Sequence, residues 1–115
     1  MLQRIFELSP AVRYVALRQG PELTLRERQG LQAPSSSESD RYEELIVNPT
    51  LLTLVQSRGD IDCGGARWVL IRYGSFFEFV RPVAGGHLSV GVEPAADVLA
   101  VVDAIERTLP ELGLF

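Results

Sequence analysis

Few residues of this 115-residue chain have types suited to chemistry. Asp60, Asp62 and Cys63, with the single histidine His87, offer carboxylate, thiolate and imidazole, all metal-ligand types. Their spacing matches no metal site. An Asp-x-Asp pair with no acidic residues at the later positions of a calcium loop reads as a solvated turn or a cap. Cys63 as a nucleophile would need an adjacent base, and His87 is the only imidazole that could serve. A structural thiol in a glycine-rich loop is the simpler reading. Glu43 and Glu44, adjacent in sequence, point about 100° apart on a helix, so they read as a solvated face rather than a cooperating acid and base. The stretches Asp62 to Gly65 and Ala84 to Gly86 lack the Lys-Ser/Thr ending of a phosphate loop and do not link a strand to a helix in the required order. The expectation is therefore no catalytic residue, no metal and no cofactor.

Composition narrows the classes further. Eleven basic residues, all arginine, face fifteen acidic ones for a net charge of −4, which opposes a nucleic-acid partner because phosphate backbones demand a clustered basic surface. An apolar fraction of 46% with 23% charged residues suits one packed domain spanning 1–115. One cysteine excludes an internal disulfide and fits a reducing cytoplasm. Arg4 and Glu7 interrupt the opening residues, unlike a signal peptide, and no span of about 20 apolar residues exists to insert into a membrane. A cytoplasmic protein without membrane insertion is predicted.

The elements that must position these residues follow from periodicity. Leu2, Ile5 and Phe6 share a helical face that Ser9-Pro10 cuts short. Alternation over Val12 to Arg18 and Glu22 to Arg28, with Gly20-Pro21 between, predicts a hairpin. Gly30 to Ser39, with Pro34 and three consecutive serines, reads as an exposed loop. Asp40 and Glu43 give a capping pattern for a helix bearing Tyr42, Leu45 and Ile46. Asn48-Pro49 then predicts the start of a second helix, ending at Gly59. A loop through Asp60 to Gly65 leads to strands over Ala66 to Tyr73, Phe76 to Pro82 and His87 to Val92, joined as a meander by Gly74-Ser75 and Ala84 to Gly86. Asp97 caps a last helix with Val98, Val101, Val102, Ile105 and Leu109 on one face. The prediction is an α+β fold, order β-β-α-α-β-β-β-α, with a five-stranded antiparallel sheet flanked by helices.

Aromatic residues crowd two of these strands: Trp68, Tyr73, Phe76, Phe77 and Phe79 alternate across both sheet faces. Some of Trp68, Phe77 and Phe79 are expected on a face closed by a second subunit or partner. Arg67, Arg72 and Arg81 are expected to neutralise Glu78 across strands or to meet an acidic partner surface.

Three phrases carry a family likeness: Glu44-Leu45-Ile46-Val47-Asn48-Pro49-Thr50-Leu51-Leu52, Arg58-Gly59-Asp60-Ile61-Asp62-Cys63-Gly64-Gly65, and Val69-Leu70-Ile71-Arg72-Tyr73-Gly74-Ser75-Phe76-Phe77. Continued by Gly85-Gly86-His87-Leu88-Ser89-Val90, they resemble the bacterial roadblock (dynein light-chain) family over roughly residues 11 to 109. The resemblance implies a roadblock/profilin-like sheet and a non-enzymatic homodimer in which the strand Ala66 to Tyr73 pairs across a two-fold axis. It also implies a role as regulator or scaffold for a Ras-like small GTPase. Dimer or partner contacts would then fall on Arg67, Trp68, Leu70, Arg72, Phe77 and Phe79. A small-molecule-sensing domain of related sheet architecture is the alternative expectation, marked by a closed apolar pocket with convergent polar groups.

Overall fold

The computed structural model describes residues 1–31 and 36–115. Helix α1 (Leu2–Phe6) precedes the hairpin β1 (Val12–Gln19) and β2 (Glu22–Glu27). A helical rod follows, made of α2 (Ser37–Tyr42), a π-helical turn (Glu43–Val47) and α3 (Asn48–Asp62). The meander β3 (Val69–Arg72), β4 (Phe77–Val83) and β5 (Gly86–Val92) leads to α4 (Val98–Thr108) and a 3-10 turn (Leu109–Leu112). The sheet is antiparallel with order β2-β1-β5-β4-β3. This is the predicted α+β fold with a five-stranded antiparallel sheet and flanking helices, roadblock/profilin-like in architecture.

The strand order places β5, the last strand in sequence, at the centre, between β1 and β4. Cross-strand partners point to the same face. Val15, Val90 and Phe79 therefore form one row, and Leu17 and Leu88 another, on the same side. Leu2, Ile5 and Phe6 of α1 and Val101, Val102 and Ile105 of α4 close that side into one apolar core. The opposite face carries Tyr14, Ala16, His87, Ser89, Glu78 and Val80 by the same register, and the 37–62 rod lies over it through Glu44 and Asn48.

Two expectations about the rod are corrected. The helix begins earlier than Asp40: Ser36 is its cap, its hydroxyl accepting from Ser39 N–H at 3.1 Å. Residues 32–35, which include Pro34 of the expected loop, lie outside the described residues. Asn48-Pro49 starts no separate helix, for the backbone is helical on both sides of it. Pro49 has no N–H to give the preceding turn, and the chain adapts by widening that turn, so that Asn48 N–H reaches Glu43 O five residues back. Asn48 is thereby a buried side chain instead of a cap.

The far end of α3 runs past Gly59 to Asp62. Gly59 is buried because the chain returns directly over it; a Cβ there would lie 3.0 Å from Ala66 N. Gly64 and Gly65 make that return with φ of 77° and 84°, a region most side chains avoid. Of the predicted strand Ala66 to Tyr73, only Val69–Arg72 pairs with β4. The Asp97 cap is as predicted, its carboxylate accepting from Ala100 N–H at 3.3 Å.

Candidate functional site

Central strand β5 reads His87, Leu88, Ser89, Val90, Gly91, Val92, and every one of these residues is buried. Its apolar members fill the core. Its polar members face the rod, where Glu44 meets them with no exposed surface of its own. Glu44 Oε1 accepts from Ser89 Oγ at 2.6 Å, His87 Nε2 at 2.8 Å and Asn48 Nδ2 at 3.1 Å. Glu44 Oε2 accepts from the Tyr14 hydroxyl. Asn48 Nδ2 also donates to Ser89 Oγ at 3.0 Å. Burial pushes the Glu44 pKa up, but hydrogen bonds from His87, Ser89 and Tyr14 outweigh it and the net direction is down. An ionised carboxylate only accepts, so the proton between Glu44 and His87 resides on Nε2.

This arrangement does not form a nucleophilic relay. Ser89 and His87 converge on one carboxylate oxygen, whereas a relay would have the hydroxyl bonded to the imidazole. The expectation that Glu43 and Glu44 form a solvated face is overturned. The widened turn sets both against the sheet, Glu44 in the network and Glu43 half-buried beside it, with Tyr73 donating to Glu43 Oε1 at 2.8 Å.

Glu78, on β4, is the second buried carboxyl on this face, 1% exposed. Burial, then the charges of Glu44 and Glu43, hold its pKa well above the usual carboxylate range. The pKa values of these two neighbouring glutamates are thus driven apart, that of Glu44 lowered by its hydrogen-bond donors and that of Glu78 raised by burial and by the charges of Glu44 and Glu43. Glu78 Oε1 and Glu43 Oε2 are buried without a hydrogen-bond partner. Both residues line a cavity of about 230 Å³ whose other walls include Tyr14, Tyr73, Phe76, Gly91 and Arg13. Gly91 lies opposite both Tyr14 and Glu78 in the sheet, and its missing side chain leaves the floor open.

The arginines expected to neutralise Glu78 are elsewhere. Arg81 bonds Glu106 at 3.0 Å, and Arg72 lies over the Phe77 ring, 5.1 Å from its centroid. Both belong to the opposite face, because register alternates them with Glu78. Of the predicted interface residues, Arg67 and Arg72 are exposed, and Trp68, Leu70 and Phe77 are half-buried against the core. Phe79 is 0% exposed and packs with Trp68 at 5.8 Å between ring centroids. It is a core residue of the single chain and is corrected as an interface residue. Cys63 is exposed and Asp62 is its hydrogen-bond neighbour at 3.4 Å, while His87 is enclosed with Glu44. Among the described residues, no three His, Cys, Asp or Glu side chains are grouped to hold a metal ion, and no helix is long and apolar enough to cross a membrane.

Fold and site together define an α+β domain with an open five-stranded sheet and a buried carboxylate network under its central helix. Comparison with protein-family models and with curated proteins finds no match to the chain.

Proposed function

We propose that this chain is a non-enzymatic, cytoplasmic interaction module that pairs with a second copy of itself through β3 and α3, the pair serving as regulator or scaffold for a Ras-like small GTPase. The observation that carries the pairing is the contrast between the two edges of the sheet. Edge strand β2 carries Glu22, Arg26 and Glu27, charges that discourage further strand addition. Edge strand β3 presents Val69, Leu70 and Ile71 with a single charge at its end. Helix α3, whose C-terminal end leads through Ala66 into that strand, buries Leu52 but leaves Leu54 66% and Ile61 75% exposed, seven residues apart and so on one face. A two-fold axis beside β3 would join two sheets antiparallel and bring two such apolar helix faces together. The GTPase part rests on the roadblock resemblance of the segments that build this same edge.

Leu54→Asp tests the pairing against Leu99→Asp, a change at an equally exposed leucine on α4. Sedimentation velocity is expected to show Leu54→Asp as a monomer and Leu99→Asp unchanged from wild type. Equal behaviour of the two variants would refute the interface. For the partner, immobilised domain is expected to retain Ras-like GTPases of the same genome with a preference between GDP and GTP-analogue states; retention of none would remove that part of the proposal.

A further inference from the structure

We propose that the cavity floored by Gly91 is a binding site for a small primary alkylammonium ion, held by the carboxyl groups of Glu78 and Glu43. Glu78 is almost wholly buried, lines the cavity from β4, and has an oxygen, Oε1, with no hydrogen-bond partner; Glu43, which lines it from the helical rod, has a second such oxygen, Oε2. Buried acceptors without donors are costly, and native structures keep few of them. A ligand with several N–H donors on one atom supplies what both oxygens lack, and an ammonium group has three.

Charge selects the sign of the ligand. The single basic side chain among the lining residues, Arg13, is already engaged: it bonds Glu93 at 3.0 Å and lies 5.5 Å from the Phe76 ring centroid. Glu27 and Asp40 also line the cavity, and Glu44 is bonded to the hydroxyl of its lining residue Tyr14. An anion would meet net negative charge, and a neutral alcohol would leave it uncompensated. Tyr14 and Tyr73 have committed their hydroxyls to Glu44 and Glu43, so what they and Phe76 offer is ring surface, suited to an alkyl chain and attractive to a cation. At about 230 Å³ the cavity holds on the order of seven water-sized groups, the scale of a four-carbon amine.

Binding draws a proton off Glu78. Burial and the charges of Glu44 and Glu43 raise the pKa of this carboxyl, and burial raises that of Glu43 as well, whereas an ammonium beside them favours the carboxylates, so affinity rises with pH through the raised values. The inference is independent of self-pairing, and the oligomeric state measured on the same samples separates failure of one from failure of the other.

Calorimetric titration of the full chain with n-butylammonium chloride tests it, with n-butanol and sodium butyrate as matched neutral and anionic probes. Saturable binding of the ammonium is expected, with proton release seen as a dependence of the heat on buffer ionisation enthalpy. Butanol and butyrate should bind about tenfold more weakly or not at all, and Glu78→Gln and Glu43→Gln should each lower ammonium affinity about tenfold, the scale of a charged hydrogen bond. Glu43 is half-buried, so its variant keeps the test valid if Glu78→Gln perturbs folding. Equal affinity for butanol and butylammonium, unchanged affinity in both variants, or no saturable heat at millimolar ligand would overturn the proposal, the last leaving a water-filled cleft.

Discussion

Two buried glutamates on one sheet face should respond oppositely to the same replacement by leucine. Glu44→Leu removes the acceptor of Tyr14, His87, Ser89 and Asn48. Ser89 and Asn48 still bond each other, which leaves the Tyr14 hydroxyl and His87 Nε2–H as buried donors without a partner and Ser89 with one bond fewer. At roughly 1–3 kcal/mol for each orphaned group, the loss comes to about 4 kcal/mol. Glu78→Leu removes a buried carboxyl with an unpartnered oxygen and should stabilise by about 1 kcal/mol. Urea unfolding followed by Trp68, the single tryptophan, reads both changes at fixed protomer concentration. With a slope of about 2 kcal/mol/M, the midpoint should fall by about 2 M for Glu44→Leu and rise by about 0.5 M for Glu78→Leu. Midpoints displaced in the same direction by similar amounts would refute the opposite pKa shifts of the two carboxyls.

Acidity gives a second handle on the same pair. Glu78 keeps its proton in the folded chain where the unfolded chain has lost it, because burial and then Glu44 and Glu43 raise its pKa. The unfolded state then binds fewer protons, and stability falls as pH climbs from the ordinary carboxylate range to the raised value. The stability gap between Glu78→Gln and wild type should accordingly widen over that rise; a gap constant with pH would contradict it. Glu44, shifted down on balance, stabilises above the ordinary carboxylate range, and that contribution should disappear as pH falls through its folded value, in wild type but not in Glu44→Leu. Arg28 ties three backbone carbonyls together, donating to Val12 O at 2.7 Å, Phe6 O at 3.0 Å and Ser9 O at 3.1 Å. Arg28→Ala should destabilise by about 2 kcal/mol, with Arg28→Lys restoring little because an ammonium lacks the planar fork, both read by the same unfolding curves. Gly86→Ala would place a Cβ 1.8 Å from Arg18 O where β5 meets β1; thermal melting should show a loss of about 3 kcal/mol or more.

The strands were legible in the sequence because their alternation has a period of two whatever covers the polar side. That same property hid the site. His87 and Ser89 alternate with Leu88 and Val90 in the manner of a strand with one wet face, and nothing local tells a solvated polar face from one sealed by a helix. Glu44 was obscured by Pro49, whose effect on the preceding turn is to widen it, and the widened turn alters which side chains share a face. The face of α4 and its Asp97 cap were legible because both are local. The β1–β5 pairing joins residues about 75 apart in sequence and depends on the closure of the whole sheet, as does the conjunction of Tyr14, Gly91 and Glu78 around the cavity. Phe79 was assigned to an interface because two aromatic-rich strands exceed one sheet face; the register puts it opposite Val90 in the core.

Self-pairing through β3 and α3 is the central claim, and the mass of the wild-type chain in solution tests it most directly. Light scattering across the peak of a size-exclusion column, at tens of micromolar protomer, should give twice the 12.7 kDa of one chain. A mass of one chain at that concentration would contradict the account.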